Sequence, residues 1–186
     1  MLTRLLIFAC WIALPVYWRQ SAGSAKPAAQ TQSVENRMAR FPVWLGFLLV
    51  LVAGVFPSWC ALPVASPAAA QWSGIAVCVL GLALAVWSRK TLGGDWSQDV
   101  ELKQWHRLVV RGPYRLVRHP IYTAHLLMAV GSAITFGTWL GYAAVMSFFV
   151  GFRVKLAQEE ELLTRSFPGE YAEYRKRTKA LLPWLL

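Results

Sequence analysis

Residues 121–152 read IYTAHLLMAVGSAITFGTWLGYAAVMSFFVGF, without one Asp, Glu, Lys or Arg. One helix needs about 20 apolar residues to cross a bilayer, so this run is too long for a single span. Gly137 and Gly141 sit near its middle, where a chain can turn back. The stretch predicts a helical hairpin, one helix crossing out and the next crossing back.

Residues 41–88 are equally free of charge, and Pro57, Pro63 and Pro67 break them into two spans, 41–62 and 72–88. Residues 2–18 form a further apolar segment. Composition agrees: 56% of the chain is hydrophobic and 15% charged, against about 25% charged in soluble domains. The fold expected is an all-α integral membrane protein of about five transmembrane helices, the last two a hairpin. Residues 1–88 supply N-terminal transmembrane helices and a linker; residues 89–186 carry the chemistry. Residues 19–40, with Ser, Ala, Gln, Lys26 and Pro27, read as a flexible linker. Arg4, the apolar stretch after it and Gly23-Ser24-Ala25 also fit a cleaved signal peptide. No internal repeat is visible.

Cys10, Cys60 and Cys78 lie in apolar stretches, with no CxxC pair and no His/Cys cluster at ligand spacing. They read as buried hydrophobes, and no metal site is expected.

The 19 Lys and Arg outnumber the 9 Asp and Glu, for a net charge of +10. They gather between the third and fourth spans (Arg89, Lys90, Lys103, Arg107, Arg111, Arg115, Arg118) and after the hairpin (Arg153, Lys155, Arg165, Arg175, Lys176, Arg177, Lys179). Both segments belong on the cytoplasmic side by the positive-inside rule. Attraction to anionic headgroups, worth about 1 kcal/mol per residue, accounts for the basicity. Membrane lipids are therefore expected partners and nucleic acid is not. Nothing in the sequence specifies an oligomeric state.

Two inner segments hold residue types that do chemistry. The first runs His106-Arg107-Leu108-Val109, Gly112-Pro113-Tyr114, then Arg118-His119-Pro120-Ile121-Tyr122. Proline is favoured in a first helical turn, so the fourth span starts near Pro120. A helix N-terminus favours an anion; the same residues also suit an interfacial anchor. In the second segment Lys155 and Glu159 are four apart and share a helix face. They form either a surface ion pair or a cation and an anion at the mouth of the hairpin. Glu160 and Glu161 point elsewhere and read as solvated. Phe167, Tyr171 and Tyr174 read as packing an amphipathic tail on the membrane surface, after a turn at Pro168-Gly169.

The ordered set His-x-Leu-Val, Gly-x-Tyr, Arg-His-Pro-x-Tyr, Glu-Glu, Phe, Tyr and Tyr resembles the isoprenylcysteine carboxyl methyltransferase family. That family lies within a wider group of small membrane methyltransferases that includes phospholipid methyltransferases. The match covers about residues 92–183, half the chain; the N-terminal spans match only in being apolar. The resemblance implies S-adenosylmethionine as methyl donor, held on the cytosolic membrane face by the C-terminal half. His106, Arg107, Leu108 and Val109 would line its site, with His119, Pro120, Ile121 and Tyr122 as a second wall. Glu159 would take the donor's ammonium or ribose end. Tyr114 and Lys155 would face the acceptor as the catalytic pair, and the acceptor would be a lipid-like or isoprenylated molecule from the bilayer.

This chain has Lys155 where the family usually has Arg, which loses a bidentate grip on a carboxylate. Ala124 stands where Gly is usual, and Phe167-Pro168-Gly169 replaces a Phe-Gly pair. A carboxylate acceptor is ionised at neutral pH and needs no general base. An amine would need one, with Glu159, Glu160 and His119 as the candidates. No G-x-G-x-x-G follows a strand, which argues against a Rossmann donor site. Phospholipid, amine or thiol methylation stays open within the class. Beyond it stand a NADPH-dependent reductase of similar helical core and a non-enzymatic membrane protein.

Overall fold

The computed structural model describes residues 1–21, 23, 28–31, 35–59, 67–95, 101–103 and 108–182. The elements are α1 (Leu2–Ser21), β1 (Ala28–Thr31), α2 (Glu35–Val55), α3 (Ala68–Leu92), β2 (Glu101–Lys103), α4 (Pro120–Phe136), α5 (Trp139–Ser166) and α6 (Glu170–Arg177). Among the described residues three helices are long and apolar enough to cross a membrane, namely α1, α3 and α5. The apolar part of α2 and the whole of α4 are shorter.

The predicted hairpin is α4 and α5. Gly137 ends α4 in the left-handed conformation, φ 61°, which glycine adopts without a Cβ clash. Thr138 then caps α5, its Oγ1 accepting from Gly141 N at 3.2 Å. At 1.5 Å per residue the 28 residues of α5 extend about 42 Å. That exceeds the about 30 Å of bilayer hydrocarbon, so its C-terminal turns project beyond it. α2 ends earlier than its apolar run, at Val55, because Pro57 cannot continue the helical ladder.

Neighbouring helices run in opposite directions along the chain, which sets α1 and α3 parallel. Thr3 meets Gln71 at one end (3.0 Å), and Arg89 meets the Ser21 carbonyl at the other (2.6 Å). Arg89, only 2% exposed, also donates to the Gly93 carbonyl at 2.7 Å. One guanidinium thereby serves orphan carbonyls at the ends of both helices. α1 enters the core through Ile7, Trp11 and Leu14, and Trp11 Nε1 donates to Ser132 Oγ at 2.9 Å. Where α3 crosses α4 the backbones nearly touch. A Cβ on Gly74 would meet Gly131 O at 2.5 Å. Trp72 and Trp139 are exposed at one end of the bundle, Trp44 and Trp87 toward the other. That is the pattern of two aromatic belts.

One expectation needs correcting. The segment read as a flexible linker contains β1, which pairs antiparallel with β2 (Ala28↔Lys103, Thr31↔Glu101). Ala-Ala-Gln-Thr carries no alternation of apolar and polar residues, so only its distant partner reveals it as a strand.

Candidate functional site

The end of the bundle marked by Arg89 gathers the polar side chains. His119 precedes Pro120, the first residue of α4, and is 6% exposed. Its Nδ1 lies 3.2 Å from Glu159 Oε2 and its Nε2 3.4 Å from Glu160 Oε1, both on α5. Burial opposes a charge on this imidazole, but the two carboxylates outweigh it and hold its pKa above the ordinary 6.5. Tyr122, one turn into α4, donates its hydroxyl to Glu159 Oε1. Its ring stacks on His119 (centroids 5.6 Å) and on Phe152 (4.7 Å). Lys155 Nζ stands over the same ring, 5.7 Å from its centroid. Lys155 and Glu159 thus share a face of α5, as their spacing predicts, and both converge on Tyr122.

Glu160 departs from the expectation that it is solvated. Its side chain is 14% exposed and receives Arg118 Nε at 2.8 Å and Nη2 at 2.7 Å. Glu161 does match, half-exposed beside Arg165. The missed signal is local to the motif: Arg118 adjoins His119 and Glu160 adjoins Glu159, so the two elements meet through two adjacent pairs.

Tyr114 is buried in a single turn of 3-10 helix, Gly112–Arg115, packed on the end of α3. Burial first, and then the negative charge of Glu159, hold its phenol well above the usual pKa. It stays protonated. The tail also corrects its sequence reading. Tyr171 and Tyr174 are buried in protein rather than laid on the membrane, and Tyr174 donates to the Tyr114 carbonyl at 2.6 Å. Beyond α6 the chain runs beside the start of α4. Arg118 N donates to Lys179 O (2.8 Å), His119 N to Ala180 O (3.0 Å) and Thr123 Oγ1 to Leu181 O (2.6 Å).

Pro120 is buried and Ile121 half-buried at the head of α4. Leu108 and Val109 are half-buried on the coil leading to Gly112. His106 and Arg107 lie outside the described residues. Ala124 is fully buried, and its carbonyl faces Gly81 of α3, where an added Cβ would come within 2.8 Å. It therefore belongs to the helix crossing rather than to the cluster around Glu159. Among the described residues no group of three His, Cys, Asp or Glu is placed to hold a metal ion.

The phospholipid methyltransferase family model matches residues 69–170, more than half the chain. The cobalt-zinc-cadmium resistance protein CzcN of Cupriavidus metallidurans is 29% identical over 171 residues, 89% of this chain and 74% of that one. The human protein-S-isoprenylcysteine O-methyltransferase is 28% identical over 116 residues, 61% of this chain and 41% of the human one. Among solved structures, a eukaryotic intramembrane Ras methyltransferase, isoprenylcysteine carboxyl methyltransferase, superposes with a TM-score of 0.58 at 23% identity. It covers 84% of this chain, which spans 55% of that one. The likeness is one of fold, and the matched region spans well under two thirds of either isoprenylcysteine enzyme. The resemblance seen in the sequence is borne out at the level of family and fold.

Proposed function

The chain belongs to the phospholipid methyltransferase family, and from that premise we propose that it carries a methyl group from S-adenosylmethionine to a carboxylate-bearing amphiphile. The observation that carries this reading is Glu159, held by His119 and Tyr122, with the Lys155 ammonium over the same tyrosine ring.

The residues fit such a donor by charge. A carboxylate offers about four acceptor positions, and His119 and Tyr122 occupy two. The Glu159 side chain is 27% exposed, which leaves the others open to an ammonium group. When bound, the donor supplies a methyl group on a sulfonium that is already a good leaving group. Glu159 binds the ammonium, and His119 and Tyr122 orient Glu159. By the family pattern His106, Arg107, Leu108 and Val109 would line the donor's site. Lys155 would hold the acceptor carboxylate by charge. Tyr114 donates a hydrogen bond to the same acceptor. No proton is removed, so positioning supplies most of the rate.

The acceptor class follows from the relatives named as isoprenylcysteine O-methyltransferases: a prenylated cysteine carboxylate or a chemical equivalent, arriving from the bilayer. Membership of the phospholipid methyltransferase family favours a phospholipid amine as the second reading. The site faces the cytosol on the proposed orientation, because the basic segments cluster at its end of the bundle.

Three measurements test this. S-adenosylmethionine or its demethylated product should stabilise detergent-purified protein by about 2.7 kcal/mol at 100 times Kd. No shift with either, beside a shift with NADPH, overturns the donor assignment. Labelled methyl should then pass to a prenylated carboxylate and not to a lipid amine; the reverse result selects the second reading. A Lys176→Cys variant, exposed on α6, should label only from the cytoplasmic side.

A further inference from the structure

α5 has a second polar face at its inner end. Arg153, Leu156, Ala157 and Glu160 recur at three- and four-residue spacing and so line one side of the helix. Arg118, Arg175 and Lys179 close over them, with Thr178 and Ala180, around a cavity of about 500 Å³. Four cations therefore face one carboxylate. Arg118 is committed to Glu160 and to the Thr178 carbonyl. Arg175 Nε stands 3.8 Å from Glu160 Oε2. The Arg153 and Lys179 side chains have no ion-pair partner among the described residues. The cavity thus carries positive charge in excess of what the described residues neutralise, and Leu156, Ala157 and Ala180 give it an apolar wall.

Its depth bears on what fills it. From Trp139, at the aromatic belt, to Arg153 is about 21 Å along the helix. The hydrocarbon is about 30 Å thick, so Arg153 roots inside the far boundary and its long side chain reaches up to headgroup level. Arginine forks grip phosphate oxygens in pairs. We propose that this cavity binds the phosphodiester of an anionic membrane lipid, as a lipid site separate from the methyl acceptor. The separation is geometric: Lys155 and Glu159 lie toward Tyr122, while Arg153 and Glu160 line the cavity. A headgroup carrying its own ammonium would set that charge against Arg153 and Lys179, so an anionic lipid is favoured over a zwitterionic one.

The test compares thermal midpoints of the full chain in phosphatidylcholine nanodiscs with and without phosphatidylglycerol. The anionic lipid should raise the midpoint of the parent protein. Arg153→Gln with Lys179→Gln should lose most of that rise while melting normally in phosphatidylcholine. Lys176→Gln with Arg177→Gln removes the same charge outside the cavity and should keep the rise. Equal loss in both double variants would mean diffuse surface attraction and overturn the proposal. Should the cavity pair fail to fold, Arg153→Gln alone and the charge-keeping Lys179→Arg supply the same contrast. Inorganic phosphate added to detergent-solubilised protein should not reproduce the rise; if it does, the ligand is a soluble anion and the lipid assignment falls. The readout involves no methyl transfer, so its failure leaves the enzymatic reading standing.

Discussion

α4 is held at its two ends by different means. Toward Gly137 it crosses α3 with glycine against glycine, and Thr135 Oγ1 bridges to the Gln71 and Gly131 carbonyls at 3.1 and 2.9 Å. Toward Pro120 it is tied to α5 and the C-terminal segment through His119, Tyr122, Thr123 and neighbouring Arg118. Lipid tails are as apolar as leucine, so hydrophobicity does not drive one membrane helix onto another, and close shape must. At the polar end water is near, and charges can be set against each other in fixed geometry. There the loss of one partner leaves another charge stranded. Shape at one end and charge at the other hold a single helix in register, so a structural substitution and a functional one should separate cleanly.

The sharpest way to break the contrast is Gly131→Val. A Cβ there would lie 2.6 Å from Cys78 N, a backbone atom that cannot step aside. We expect a loss of about 3 kcal/mol or more, read as a lower melting midpoint and poor recovery of monodisperse protein. Lipid-facing Leu80, 65% exposed, should tolerate alanine with little change. Equal behaviour of the two variants would show that the crossing does not depend on close approach.

Glu159→Gln should next cost about 2 kcal/mol of donor binding, roughly thirtyfold in Kd, through loss of a charge-assisted hydrogen bond. Lys155→Met should leave donor affinity intact and abolish transfer to a carboxylate. Lys155→Arg should keep or raise it, because a guanidinium can grip both oxygens. Isothermal titration beside a labelled-methyl assay separates these outcomes. Equal loss of donor affinity in the Glu159 and Lys155 variants would make the pair merely structural.

The third prediction concerns pH. The folded-state pKa of His119 is raised by its two carboxylates. Its contribution to stability is therefore full below the unfolded value of about 6.5 and is lost as pH rises through the folded value. The melting midpoint should fall across that window. His119→Gln should flatten this part of the profile, and an unchanged profile would place the titrating group elsewhere. The smallest effect is expected from Tyr174→Phe, which removes one hydrogen bond to the Tyr114 carbonyl. The cost should be about 1 kcal/mol, or roughly 2–4 °C in the thermal midpoint.

The apolar helices and the hairpin were legible in the sequence because a bilayer lets no backbone polar group go unpaired. Apolar runs there must become helices, and their lengths map directly onto spans. The turn at Gly137 and the helix start at Pro120 were legible for an equally local reason: each residue restricts its own backbone. The ordered Arg-His-Pro and Glu-Glu motifs pointed to the family, and Lys155 with Glu159 could be placed on one face from helical spacing alone.

What the tertiary structure decided lies between segments that are distant in the chain. Glu160 looked solvated until Arg118, 42 residues away, was seen against it. Tyr174 looked like a membrane anchor until its hydroxyl was found on a carbonyl 60 residues earlier. The β1–β2 ribbon joins segments whose own sequences show no strand pattern, and the cavity beside Arg153 exists only once the tail folds back over α5. Periodicity and single-residue restraints act within a few residues and can be read in one dimension. The partner of a charge or a hydroxyl depends on where the whole chain returns, which no local pattern records.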